Sequence, residues 1–126
     1  MKTAALLLFP ALFCGCASVT TAHNFHGVDM ENHGTPIETV VIENTGWNLC
    51  KVIPIGSGDP DRPNAFSFKL FKDTTTLQNN LDMLEQEMKS VGATRIVNLY
   101  SKTIDESVFI MLLTRTACRT SAVLLK

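Results

Sequence analysis

The chain has little histidine, a single tryptophan and no block of like charge. Its three histidines, His23, His26 and His33, all fall near the amino terminus, ahead of the first β-rich segment. A Ser or Cys nucleophile needs a base held beside it, so nothing in the rest of the chain reads as nucleophilic machinery. Gly56-Ser57-Gly58 fits neither a Gly-x-Ser-x-Gly elbow nor a phosphate loop and reads as a loop off a strand. Eleven Lys and Arg stand against twelve Asp and Glu, which argues against nucleic acid or anionic headgroups as partners. There is no internal repeat and no low-complexity tract. No apolar run reaches the roughly 20 residues of a bilayer span, and 126 residues hold one domain at most.

What is present begins with a short apolar run, Ala4 to Phe13, behind Lys2 and followed by small residues. That pattern is a secretory signal peptide. Gly15, Cys16, Ala17 and Ser18 resemble the lipobox of bacterial lipoproteins, with Phe13 where that family usually has Leu. The resemblance implies that Cys16 is diacylated, that cleavage falls just before it, and that Cys14 is discarded. Residues 1–15 are then the signal, and their removal takes Lys2 and leaves a formal net charge of −2. Ala17 and Ser18 lack the Asp that retains some lipoproteins in the inner membrane, which favours an outer-membrane location where a cell has two membranes. An ordinary secreted protein cut after Ala17 or Ala22 is the competing reading.

Residues 16–36 read as a flexible tether, with few large apolar residues and no periodicity. As coil it would reach roughly 25 Å. His23, His26 and His33, with Asp29 and Glu31 near them, are the candidate metal ligands, since imidazole and carboxylate suit zinc, copper or nickel. Asp59, Asp61 and Asn64 hint at a calcium loop, but the EF-hand spacing fails. Cys50 and Cys118 are the two remaining cysteines. In an exported domain they either form one bridge or stay as two buried thiols.

The folded part, residues 37–126, opens with Val40, Val41 and Ile42, a turn signal at Asn44-Thr45-Gly46, and a second β-rich run to Ile55. Trp47, Leu49, Ile53 and Ile55 share one parity and are expected to face inward. The alternation in Ala65 to Phe71 predicts a short strand laid on the core. Leu77, Leu81, Leu84, Met88 and Val91 recur at spacings of four and three, the stripe of an amphipathic helix. Thr75 and Gln78 form a capping box, and Gly92 stands where a left-handed cap ends the helix. Two strands around a polar turn at Lys102 to Ser107 are expected next, then a short strand from Cys118. Residues 108–113 are apolar on both parities, so Phe109, Met111 and Leu113 form a candidate interaction face, unless the segment from Ala65 to Phe71 and the amino-terminal hairpin fold over it to give an ordinary two-sided core.

The junction of Met88, Gly92, Ala93, Ile96 and Val97 resembles the YbjQ-like and RcsF-like small α+β envelope domains over about residues 77–101. The resemblance implies a compact α+β domain and, because the YbjQ-like family forms rings, self-association. No ligand residue carries over, since no Cys or His stands near the junction.

The sequence therefore predicts an α+β fold, β-β-(β)-α-β-β-β, with a mostly antiparallel sheet of four to five strands and one long helix on one face. The expected role is that of a membrane-anchored lipoprotein of the cell envelope with no catalytic residues and no cofactor. It would work by association with itself or with another envelope protein. The alternative is a small-ligand or metal-binding lipoprotein using the histidines or a pocket lined by Trp47, Phe66 and Phe68.

Overall fold

The computed structural model describes residues 15–23, 34–109 and 112–126, with Phe109 by its backbone alone. The fold is α+β: the described residues form a six-stranded antiparallel sheet with one helix packed on one face. The strands are β1 (Ala17–Ala22), β2 (Pro36–Leu49), β3 (Ile53–Gly58), β4 (Phe68–Leu70), β5 (Arg95–Phe109) and β6 (Leu113–Leu125), and helix α1 spans Leu77–Val91. The order across the sheet is β4-β3-β2-β6-β5. β1 and β3 lie end to end along the same edge of β2, β1 pairing with Thr39 to Asn44 and β3 with Gly46 to Leu49.

This corrects the sequence reading in three places. Ala17–Ala22 is a strand, not coil, and Ala17 is buried in the core. β2 runs straight through Asn44-Thr45-Gly46, and the chain turns instead at Cys50 and Lys51, both with positive φ. β5 runs unbroken through Lys102 to Ser107, so two long strands follow the helix where three were expected.

Each departure has a tertiary cause. Asn44 is fully buried and its Nδ2 donates to the Thr74 carbonyl. Thr45 Oγ1 accepts the Cys16 N–H at 2.8 Å. A Cβ at Gly46 would lie 2.9 Å from Thr75 Cγ2, so the close approach of that segment needs a glycine. The polar triplet that resembles a turn is thus occupied by neighbours distant in sequence.

The core lies between α1 and the even-numbered residues of β2 and β6: Val40 and Ile42, Ala122 and Leu124, against Met83 and Leu84. Thr76, rather than Thr75, caps the helix, its Oγ1 accepting the Asn79 N–H at 3.3 Å. Gly92 ends it in the left-handed region, with the Ala93 N–H on the Met88 carbonyl. The stripe is rotated from the one expected: Leu77 is half exposed, while Asn80 and Met83 are buried with Leu84. Trp47 is half-buried, Leu49 and Ile53 are exposed, and their parity faces away from the helix.

The helix, 15 residues and about 22 Å long, is half as long as β2, whose 14 residues extend roughly 45 Å. It therefore covers only part of its face. Beyond its amino-terminal end that face carries polar side chains, Asn48, Thr103, Asp105, Thr114 and Thr116, which suits a surface left wet.

Candidate functional site

Four regions of the domain carry features beyond those needed for packing. The first is the uncovered part of the helix side. A cleft of about 320 Å³ opens there, its floor made by Thr103 and Asp105 of β5 with Thr114 and Thr116 of β6, and its walls by Asn48 and Asp73. Asn48 Nδ2 donates to Thr116 Oγ1 at 3.1 Å, and that hydroxyl donates to Asp105 Oδ1 at 2.8 Å. Thr114, 1 % exposed, has an Oγ1 with no hydrogen-bond partner among the described residues. The cross-strand pairing of Thr103 with Cys118 and of Asp105 with Thr116 explains why these short polar residues alternate along both strands.

The second region is the pole where two hairpin tips meet. The Cys50 N–H donates to the Leu112 carbonyl at 2.7 Å, joining the β2–β3 turn to the β5–β6 turn. Leu49, Val52, Ile53, Val108 and Leu112 are all exposed there, Val52 at 79 %. Of the expected interaction residues, Leu113 is half-buried and pairs with both Leu49 and Phe109. Phe109 ends β5, and Met111 lies outside the described residues. Val108 and Phe109 close β5 and Leu113 opens β6, so the described part of this segment lies at the pole end of the sheet.

The third region is the edge strand β4. Phe66 is 91 % exposed and meets Phe68 edge to face at 6.3 Å, and Leu70 and Phe71 are exposed beside them. Phe66 and Phe71 therefore lie outside the core. The remainder of the sheet face away from α1 carries an ion ladder. Arg119 Nε donates to Glu43 Oε2 at 2.9 Å, and Arg115 lies 3.9 Å from Glu43 and 3.7 Å from Glu106.

The fourth region is a buried carboxyl at the carboxy-terminal end of α1. Glu38 is 1 % exposed, its Oε2 lies 3.4 Å from His23 Nδ1, and its Oε1 has no hydrogen-bond partner among the described residues. Burial holds the Glu38 carboxyl above its ordinary value, the charge and hydrogen bond of Glu87 push it the same way, and His23 opposes them.

His26 and His33 lie outside the described residues, so the metal expectation is described only at His23. Among the described residues no three His, Cys, Asp or Glu side chains converge on a common point. At the suspected calcium loop, Asp59 accepts from Ser67 Oγ and the Asp61 N–H, and Lys69 Nζ lies 3.2 Å from its Oδ1. Burial alone would raise the Asp59 carboxyl, but Ser67, Lys69 and the Asp61 N–H outweigh it and hold the group below its ordinary value. A lysine ammonium thus occupies the position a cation would need. Asn64 turns away from that loop to β1, accepting the Val19 N–H at 2.9 Å and donating to the Val19 carbonyl at 3.0 Å.

Cys50 and Cys118 do not bridge. Cys50 is exposed at the tip and Cys118 is fully buried, five residues along β6 from Leu113. Five residues of strand span about 17 Å, far beyond the ~7 Å limit between Cα atoms for a disulfide. Cys16 is exposed, at the very start of β1. No described helix is long and apolar enough to cross a membrane.

No protein-family model, curated protein or solved structure matches the chain.

Proposed function

We propose that this chain is a small lipid-anchored protein of the bacterial cell envelope whose domain works by association and not by catalysis. The observation that carries the association is the pole of five exposed aliphatic residues on two hydrogen-bonded hairpin tips. A soluble domain rarely gathers large apolar side chains at one end unless they are covered in use. The anchor is carried by the lipobox-like residues Gly15 to Ser18 behind the apolar run. The resemblance to YbjQ-like and RcsF-like domains, with the ring-forming habit of the former, agrees with self-association but assigns no residue.

The test is photo-cross-linking in cells from a probe at Val52 and, separately, at Leu112. The reading expects one recurring partner, either a second copy or the same foreign envelope protein, from both positions. A folded, membrane-bound protein that cross-links to nothing from either position would overturn it.

A second reading has its own support. The polar cleft with its unpaired Thr114 hydroxyl suits a small polar ligand, with Asp105, Asp73 and Asn48 as hydrogen-bonding groups. A ligand bound there would raise the melting temperature in proportion to RT ln(1 + [L]/Kd).

A further inference from the structure

The edge-strand aromatics and the candidate lipidation site lie close together, and their directions agree. Successive residues of a strand point to opposite faces. Ala17 is in the core on the helix side, so Cys16 projects from the other face. Ser57 bonds Thr74 on the helix side and pairs with Lys69, so Phe68 and Leu70 project from the same face as Cys16. Gly46 contacts Thr75 on the helix side, so Trp47 joins them, and Gly56, between Trp47 and Leu70, adds no side chain.

The backbone at Cys16 is fixed, not tethered. Its N–H donates to Thr45 Oγ1 at 2.8 Å, its carbonyl accepts the Thr45 N–H at 2.8 Å, and the Thr45 hydroxyl donates to the same carbonyl at 3.2 Å. The Cys16–Ala17 peptide also packs directly on Gly58, where a Cβ would lie 2.4 Å from the Cys16 carbonyl carbon, and Gly58 pairs with Phe68. Acyl chains on Cys16 would therefore emerge one strand away from Phe68, with no length of coil to lift the domain from the bilayer.

We propose that the domain sits on the lipid surface through this face, with Phe66, Phe68, Leu70 and Trp47 in the bilayer interface beside the acyl chains of Cys16. The proposal rests on the lipid-anchor reading. A bilayer is the occupant because the patch adjoins the site of acylation and its members are aromatic or aliphatic, side chains that partition to the headgroup and acyl boundary. Phe66 at 91 % and Leu70 at 60 % exposure have no protein cover to lose on docking. The ion ladder of Glu43, Arg119, Arg115 and Glu106 occupies the other half of the face, at the level of the headgroups. The sheet would lie with its β4 edge down; Leu49 and Ile53 of the hairpin pole share this face, while Val52, which lines the helix-side cleft, stays open to a partner.

The test uses the full chain, made in cells, purified in detergent and reconstituted into phosphatidylcholine vesicles with and without brominated acyl chains. Trp47 is the only tryptophan in the chain and reports on this face. Acylation of Cys16 is read separately from the mass of the amino-terminal peptide. The expected result is an acylated Cys16 and a loss of Trp47 emission in brominated vesicles. That loss should shrink in the double variant Phe66→Ser, Leu70→Ser, whose two side chains are too exposed to hold the fold together. An acylated, vesicle-bound protein whose Trp47 emission ignores bromine would overturn the seating and leave the anchor standing. Unmodified Cys16 would overturn both. Quenching protected by dimer formation, seen as a concentration-dependent mass, would assign the face to a second copy and so contradict the proposal.

Discussion

The Asn80 side chain donates from the buried face of α1 to the Cys118 carbonyl of β6 at 2.8 Å, and to Thr120 Oγ1 at 3.1 Å. An amide at the centre of an apolar interface fixes the register of helix against sheet, because any slide leaves it buried and unpaired. Among the described residues its Oδ1 already lacks a partner. Asn80→Ala should lower stability by about 1–3 kcal/mol, the range for a lost buried hydrogen bond. Chemical denaturation checks this, and an unchanged midpoint would mean that the amide contributes no net stability.

Leu84, 2 % exposed, fills the space between α1 and β2 with Met83. Leu84→Ala should cost on the order of 2–5 kcal/mol. The control is Leu77→Ala, at the half-exposed end of the same stripe, which should cost clearly less. Equal losses in the two variants would contradict the observed rotation of the helix.

The helix, its glycine cap and the α+β class were legible in the sequence because they follow from local rules: a 3.6-residue period, and a residue that tolerates positive φ. Thr76 in place of Thr75 as cap is a one-residue displacement of the same signal. Asn80 could have been found, since it lies three residues after Leu77 and four before Leu84. What was not legible depended on partners far along the chain. Asn44-Thr45-Gly46 carries turn composition yet lies mid-strand, because Thr74, Cys16 and Thr75 meet it there. The polar run from Lys102 to Ser107 resembles a turn because the half-length helix leaves both faces of β5 wet. The cleft has no local signature, since its threonines read as ordinary β-formers until β5 and β6 are paired.

Glu38 gives the fold a pH dependence with a definite sign. Its carboxyl is held above its ordinary value of 4.5 by burial and by Glu87, with His23 acting against them. A raised acid binds its proton more tightly in the folded state, so its contribution is full below about the unfolded value and is lost as pH rises through the folded one. Glu38→Gln should therefore raise the melting temperature at neutral pH, and the gain should vanish below the unfolded value. A variant less stable than the parent at neutral pH would mean that the His23 contact outweighs burial.

The two cysteines of the domain should behave as free thiols of opposite accessibility. Cys50 at the exposed tip should alkylate in the native protein, and Cys118 only after denaturation. Mass analysis without reductant checks both at once. Two thiols that resist alkylation even after denaturation and are restored by reduction, joined in one Cys50–Cys118 peptide pair, would contradict the register of β6.

Charge placed on the pole should separate association from folding. Val52→Lys and Leu112→Lys alter exposed side chains and should leave stability within about 0.5 kcal/mol, while each abolishes the cross-link from a probe at the other position. Cross-links that survive both substitutions would move the contact elsewhere on the domain.

The most direct measurement is metabolic labelling with a tagged fatty acid, followed by fractionation of cells carrying the parent or the Cys16→Ser chain. The account requires label and membrane recovery for the parent, and neither for Cys16→Ser. A Cys16→Ser protein still labelled and still in the membrane fraction would contradict the anchor, and with it the seating of the sheet on the bilayer.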